Sequence, residues 1–361
     1  MNDANELISF IASMSGEGNL RVEENLGEGY VRLRVSEAER RQAKHDIQYV
    51  EDIVIEMLRN ARDAGADKVY LATTKEEGVR TLLFLDNGSG VPQDMQERIF
   101  DARVTSKLES MKMDRWGVHG RGMALFSIKQ NTDEARVVTS GVDLGSAFKV
   151  CVATDRLGER ADQSSWPQAV KDEDGRYVCA RGPHNIIRAA CEFALEELRC
   201  CDVYLGSPSE IAATLYAQAS SRLDTSRLLF IDDECELPVI DRLGLASDAE
   251  DFIRICSGLG LEMSERTAHR ILSGQIKPVR GVTARLLRER DSTSHAPAPV
   301  DLAKDRRGLR IAKDDMAQFS RAVERDFNDL AARYYLNLCG DPKIRVSRDR
   351  ITVTFDLAKE E

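Results

Sequence analysis

Apolar positions recur along the first 155 residues in two rhythms, a period of two and a period near 3.6. "GYVRLRV" (Gly29–Val35) alternates apolar and charged residues like a half-buried strand, and Ser36 with Glu39 matches the S-x-x-E capping box that opens a helix. Ile53, Met57, Ala61 and Ala64 fall at helical spacing, which predicts a second helix from about Asp46 with that face inward and an end at Gly65. "KVYLATT" (68–74) and "RTLLFLD" (80–86) read as two strands of a hairpin. A short helix ("QDMQERIF"), a polar stretch from Ala102 to Trp116, the glycine cluster "GVHGRG" and a helix at about Met123–Gln130 follow. "EARVVTSG" and "GSAFKVCV" then bracket a glycine-containing turn as two further strands. Up to about Asp155 this order predicts an α+β unit, helices layered on one mixed, mostly antiparallel sheet.

Beyond it, Asp155–Arg181 reads as a polar connection. "NIIRAACEFALEELR", "CDVYLGS", "PSEIAATLYAQAS" and "RLLFID" alternate helix and strand, which predicts a second α/β domain. Ser247–Arg290 is helical in pattern: Ser264 caps a helix bearing Arg266, His269 and Arg270, as in a helix-turn-helix whose turn is one residue longer than usual. "DSTSHAPAPV" (291–300) has linker composition. Met316, Phe319, Val323, Phe327, Leu330, Tyr334 and Leu338 mark one face of a last helix, and "KIRV" with "RITVTFDL" makes a terminal hairpin. The expected domains are 1–158, 159–245, 246–300 (helical, with linker) and 301–361.

Composition narrows the classes. A chain of 361 residues is too long for one ordinary core, and 42% hydrophobic with 31% charged residues is globular. The longest apolar runs, such as Leu82–Leu85, fall far short of a membrane span, and "MNDANELISF" lacks a basic signal-peptide start, so the expectation is a cytoplasmic protein without a membrane partner. Eight cysteines without a C-x-x-C pair predict neither a disulfide framework nor a structural metal. A net charge of −10 argues against a nucleic-acid platform over the whole surface, yet residues 264–313 carry twelve Lys/Arg against five acids.

The candidate chemistry lies in the first unit. Glu56, Asn60 and Asp63 project from one side of a helix, where a carboxylate can draw a proton from water and a carboxamide oxygen can hold magnesium; a solvated helix stripe has the same spacing. Asp86 ends a strand ahead of Asn87-Gly88-Ser89-Gly90. There glycines let a flat ligand approach and the carboxylate can accept from an exocyclic amine; the same residues also suit a plain turn. Gly117, Gly120 and Gly122 precede a helix whose unpaired N–H groups favour phosphate, or else form a hinge. Lys107 in "TSK" is a counter-charge on the polar stretch, which reads as a lid.

Taken in order, "RNARDAGA", "DNGSGV", "RVTSK" and "GVHGRGMALFSI" resemble the GHKL ATPase superfamily of gyrase B subunits, ninety-kilodalton chaperones, histidine kinases and MutL proteins, with the last motif closest to the MutL and MORC branch. The resemblance covers about Val31–Asp155. It implies a Bergerat-type two-layer fold that binds ATP with Mg²⁺: Glu56 would activate water, Asn60 would ligate Mg²⁺ and Asp86 would read the adenine amine. Gly88 and Gly90 would line the base pocket, Lys107, Gly120 and Gly122 would meet phosphates, and Ser146 would sit near adenine. Asp63, Gly117 and Arg121 are placed in the same site. The function expected is an ATP-hydrolysing conformational switch. The partners to test are a second copy in an ATP-dependent homodimer and DNA through 264–313. The alternatives are a protein-interaction switch and a histidine- or serine-kinase-like phosphotransferase without DNA. A histidine kinase built on His45 is disfavoured, since only fifteen residues separate it from Asn60.

Overall fold

The computed structural model describes residues 22–106, 112–119, 122–198, 200–223, 233–287, 313–331, 336–340, 342–346 and 351–359. The chain begins with β1 (Val22–Gly27), β2 (Tyr30–Leu33), α1 (Glu37–Asp46), α2 (Val50–Asp63), β3 (Lys68–Glu76), β4 (Val79–Asp86) and β5 (Val104–Thr105). It continues through β6 (Lys112–Asp114), β7 (Gly117–His119), α3 (Ala124–Asn131), β8 (Glu134–Gly141) and β9 (Gly145–Ala153). β10 (Gln168–Lys171), β11 (Tyr177–Arg181), α4 (Ile186–Glu196), β12 (Asp202–Gly206), α5 (Pro208–Arg222), α6 (Ala249–Gly258) and α7 (Glu265–Leu272) complete the first unit.

Local chemistry fixes the helix starts. Ser36 Oγ accepts from the Glu39 amide (3.2 Å) while the Glu39 carboxylate accepts from the Ser36 amide (2.9 Å), the reciprocal capping box the sequence predicts for α1. At α2 the Asp52 carboxylate accepts from the amides of Gln48 and Tyr49, so the helix opens at Val50.

The central sheet has the order β12-β3-β4-β9-β8, antiparallel except for the parallel pair β12–β3. Its side chains alternate between two cores. Val69, Leu71, Leu82 and Phe84 pack with Ile53, Met57 and Leu58 of α2, Ile128 of α3 and Phe193 of α4. Tyr70, Ala72, Leu83 and Leu85 face the other way, onto Ile211 and Leu215 of α5, Phe252 and Ile255 of α6, and Ile271 of α7. The two-layer Bergerat-type core is therefore present and a second helical layer covers its far face. The unbroken apolar run "LLFL" carries that layer's signature, because a strand buried on both faces loses its polar alternation.

Several sequence expectations change here. The segment 159–245, expected as a separate α/β domain, lends β12 to the same sheet and α4 and α5 to the same two cores. The polar connection 155–181 holds the hairpin β10–β11. By contacts the chain divides into two units, 1–291 and 292–361. In the second, a helix spans Lys313–Ala331, and Leu338, expected on its face, instead belongs to a strand Leu336–Leu338 paired with Leu357–Lys359. Lys343–Val346 pairs with Ile351–Thr354 as the predicted hairpin. "RLLFID" and Tyr334 lie outside the described residues. Among those residues no helix is long and apolar enough to cross a membrane.

Candidate functional site

The end of β4 is built around Asp86. It is 4% exposed, pairs in register with Ser146 of β9, and accepts from the Gly88 amide at 2.8 Å through Oδ1. The loop behind it is strapped to the end of α2, with the Ser89 amide donating to the Ala64 carbonyl (2.9 Å). Only glycine fits at position 90: its φ is +70° and an added Cβ would stand 1.8 Å from the Gly141 carbonyl oxygen. Ser140 Oγ accepts from the Val91 amide and donates to the Gly145 carbonyl, each at 2.8 Å, and lies 2.9 Å from Ser146 Oγ. Asn87 is a brace for the sheet: its Oδ1 accepts from the amides of Asp67 and Lys68.

α2 passes beside this wall, and a cavity of about 450 Å³ opens between them. Glu56, Asn60, Asp63, Asp86, Gly90, Gly122 and Ser146 line it, so residues 90 positions apart in the chain share one hollow. Gly88 lies beneath the wall, where a Cβ would meet Ala64 at 2.9 Å. Gly117 sits in β7 opposite Asp114. Lys107, Gly120 and Arg121 lie outside the described residues. His45 is an exposed side chain of α1.

Two features make this cavity suited to a metal-bound phosphate. Asn60 Nδ2 is buried with no hydrogen-bond partner among the described residues, and because an amide can rotate to exchange its ends, the side chain can turn its oxygen to a hard cation such as Mg²⁺. Gly122 (φ +66°), Met123, Ala124 and Leu125 also line the cavity and bring in the start of α3, whose N-cap Met123 makes no side-chain cap hydrogen bond. One turn further on, Ser127 Oγ is buried and has no hydrogen-bond partner among the described residues. Uncapped first-turn N–H groups and a waiting hydroxyl suit an anion.

The structure adds residues that spacing did not single out. Arg59, 2% exposed, donates from Nη1 to Glu56 Oε1 at 2.6 Å and from Nε and Nη2 to Asp114 at 2.9 and 3.0 Å. Arg62 donates to Asp63 (3.0 Å), Asp114 (3.2 Å) and Glu197 (2.8 Å). Glu56 and Asp63 are thus ion-paired members of a buried network rather than a solvated stripe. The Glu56–Arg59 spacing of three was the available sequence signal; Asp114, 55 residues away, gave none. Tyr30 also lines the cavity, its phenol pushed up by burial, against a hydrogen bond to Ser106 that lowers it.

Away from the cavity, α6 and α7 pack together, with Ser264 Oγ accepting from the Thr267 amide (3.3 Å). Ala268 and Ile271 of α7 are buried, while Arg266, His269 and Arg270 are exposed.

Residues 47–148 match the family model described as histidine kinase-, DNA gyrase B-, and HSP90-like ATPase. The DNA mismatch repair protein MutL of Brucella abortus (strain S19) is 35% identical over 106 residues, 29% of this chain and 16% of that protein. The MutL of Thermodesulfovibrio yellowstonii is 33% identical over 107 residues, 29% of this chain and 19% of that protein. The chain thus spans less than a fifth of the length of these relatives. A solved structure, "Crystal structure of ShkA full-length in complex with AMPPNP", overlaps 57% of this chain and 38% of that one at 18% identity and a TM-score of 0.23.

Proposed function

We propose that residues 47–148, which match the histidine kinase-, DNA gyrase B-, and HSP90-like ATPase model and resemble MutL proteins, act as a GHKL-type ATPase domain, and that the chain is a switch that binds Mg·ATP in the cavity beneath Asp86, hydrolyses it, and couples the nucleotide state to nucleic acid. One observation supports this reading above the others: the water-activating, metal-ligating, base-reading and phosphate-facing candidates Glu56, Asn60, Asp86 and Gly122 line a single cavity.

In this mechanism Asp86 accepts a hydrogen bond from the adenine amine, whereas the carbonyl of guanine would face a carboxylate across the same gap. Gly90 leaves room for the flat base. The first turn of α3 and Ser127 take the phosphate end. Glu56 takes a proton from the attacking water as the water oxygen bonds to the γ-phosphorus and the β–γ bridging oxygen leaves. Asn60 is the residue that would hold Mg²⁺, which when bound offsets the phosphate charge. Glu56→Ala removes the base and leaves the wall and metal ligand in place, so turnover should fall by roughly 10²–10⁴-fold with ATP affinity nearly intact. Hydrolysis at the parent rate would remove Glu56 from the mechanism and favour a binding-only switch or a phosphotransferase.

The nucleic-acid arm rests on charge. Within 264–287 the Lys/Arg residues 266, 270, 277, 280 and 285 face a single acid, Glu265, in an otherwise acidic chain. Arg266, Arg270, Lys277 and Arg280 are exposed. Duplex DNA should shift the mobility of the protein at low salt, and the shift should weaken steeply as salt rises. No shift at low salt would leave a switch acting on proteins.

A further inference from the structure

We propose that Arg59 and Asp114 are positioning residues that aim Glu56 at the attacking water. The inference rests on the hydrolytic role given to Glu56 above. The guanidinium of Arg59 has two edges in use. Nε and Nη2 form a two-pronged pair with the Asp114 carboxylate (2.9 and 3.0 Å), and Nη1 reaches Glu56 Oε1 at 2.6 Å. Asp114 is itself fixed from two further directions, by the Trp116 amide on Oδ1 (3.0 Å) and Arg62 Nη1 on Oδ2 (3.2 Å). The Arg59 side chain is 3% exposed and that of Asp114 10%, whereas Glu56 at 22% keeps access to the cavity.

A planar guanidinium clamped along one edge cannot turn, so the direction of the Nη1 N–H that reaches Glu56 is set by Asp114. That N–H holds Glu56 Oε1 in place and so sets the orientation of the carboxylate at the cavity. This is the division of labour by which an acid–base group is oriented by a third residue. Lysine cannot copy it, because a single ammonium point does not satisfy two carboxylates in fixed directions. The chain also carries the arrangement across two elements, α2 and β6, so the placement of β6 is transmitted to Glu56 by a short rigid link.

The test uses the full chain and four variants: Arg59→Lys, Asp114→Asn, Glu56→Ala and Glu56→Ala combined with Asp114→Asn. ATPase kcat and KM are measured beside the Kd for a non-hydrolysable ATP analogue. Arg59→Lys and Asp114→Asn should each lower kcat by roughly tenfold or more while the analogue Kd stays within about threefold, since a group that acts only on the aim of the base is felt in the transition state. In the Glu56→Ala background Asp114→Asn should cost nothing further, because the residue it positions is gone. A merely structural pair would lower melting temperature and binding together and would add in the double variant, which would overturn the inference. Parent-rate hydrolysis by Asp114→Asn with Glu56→Ala inactive would overturn it alone; parent-rate hydrolysis by Glu56→Ala would overturn the hydrolytic reading with it. Should Arg59→Lys fail to fold, Asp114→Asn, which keeps the shape of the side chain, carries the same test.

Discussion

Asp86→Asn tests the adenine assignment most directly. The carboxylate has two acceptor oxygens in a nearly closed setting, and Oδ1 already takes the Gly88 amide at 2.8 Å. An asparagine has one acceptor and one donor end. If its oxygen stays on the Gly88 amide, its NH₂ faces the adenine amine; if it turns round, its NH₂ faces the Gly88 N–H. Either way one donor meets another, and an unsatisfied buried polar group costs about 1–3 kcal/mol. Where the mismatch falls on adenine, that is a loss of about five- to 150-fold in ATP affinity. Inosine triphosphate supplies the contrast, because its base carries a carbonyl where adenine has the amine. It should bind the parent poorly, carbonyl against carboxylate, and gain in the variant from a donated amide N–H. The assay is calorimetric titration of parent and variant with both nucleotides as non-hydrolysable analogues, with melting curves of the free proteins to separate pocket from fold. The ratio of inosine to adenine Kd should fall by at least about tenfold on substitution. A ratio that does not move, whatever happens to each Kd, would refute the contact.

Two further outcomes follow from the same walls and cores. Gly90→Ala forces a Cβ within 1.8 Å of the Gly141 carbonyl oxygen at a φ of +70°; the urea midpoint should fall by the equivalent of roughly 2 kcal/mol or more, and an unchanged midpoint would contradict the close packing. Burial pushes the thiols of Cys201 and Cys256 up to about 12 and that of Cys179 up to about 11, from an ordinary 9.0. Between these values the folded chain keeps protons that the unfolded chain releases. Their contribution is therefore complete below pH 9 and is lost as pH rises, at about 1.4 kcal/mol per unit for each of the buried thiols Cys201 and Cys256, and by less for the half-buried Cys179, whose charge water screens. Unfolding at a series of alkaline pH values should show this slope, and Cys256→Ala should reduce it by one thiol's share.

What could be read from the sequence was what is local. The capping box at Ser36 and Glu39, the β3–β4 hairpin and the stripe of Glu56, Asn60 and Asp63 each involve residues a few positions apart, and each stands where the pattern puts it. Asp86 and Ser146 share a wall because two antiparallel strands fall in register, which the strand pattern permits and does not dictate. The misses are long-range. Tyr70, Leu83 and Leu85 require a second cover, but nothing in β3 or β4 says that α5, α6 and α7 supply it. Arg59 looks like a surface residue of an amphipathic helix until Asp114 is brought against it. Leu338 continued the helical spacing of the final helix past Ala331, into a strand whose partner, Leu357–Lys359, lies about twenty residues on.

The parallel pairing of β12 with β3 joins Asp202 to Lys68 across roughly 130 residues of sequence. No hairpin can nucleate such a pair, and the loop to be closed is long, so this step belongs late in folding. Until it forms, β3 is an open sheet edge with Tyr70 and Ala72 uncovered on the face that α5 will occupy. A nascent chain passes through that state while the segment between β9 and β12 is still being made, with a sticky edge exposed to its neighbours on the polysome. The layer that carries the Asp86 cavity therefore reaches its final form only after more than half of the 361 residues have left the ribosome, and a fragment cut at 158 would keep that edge open permanently.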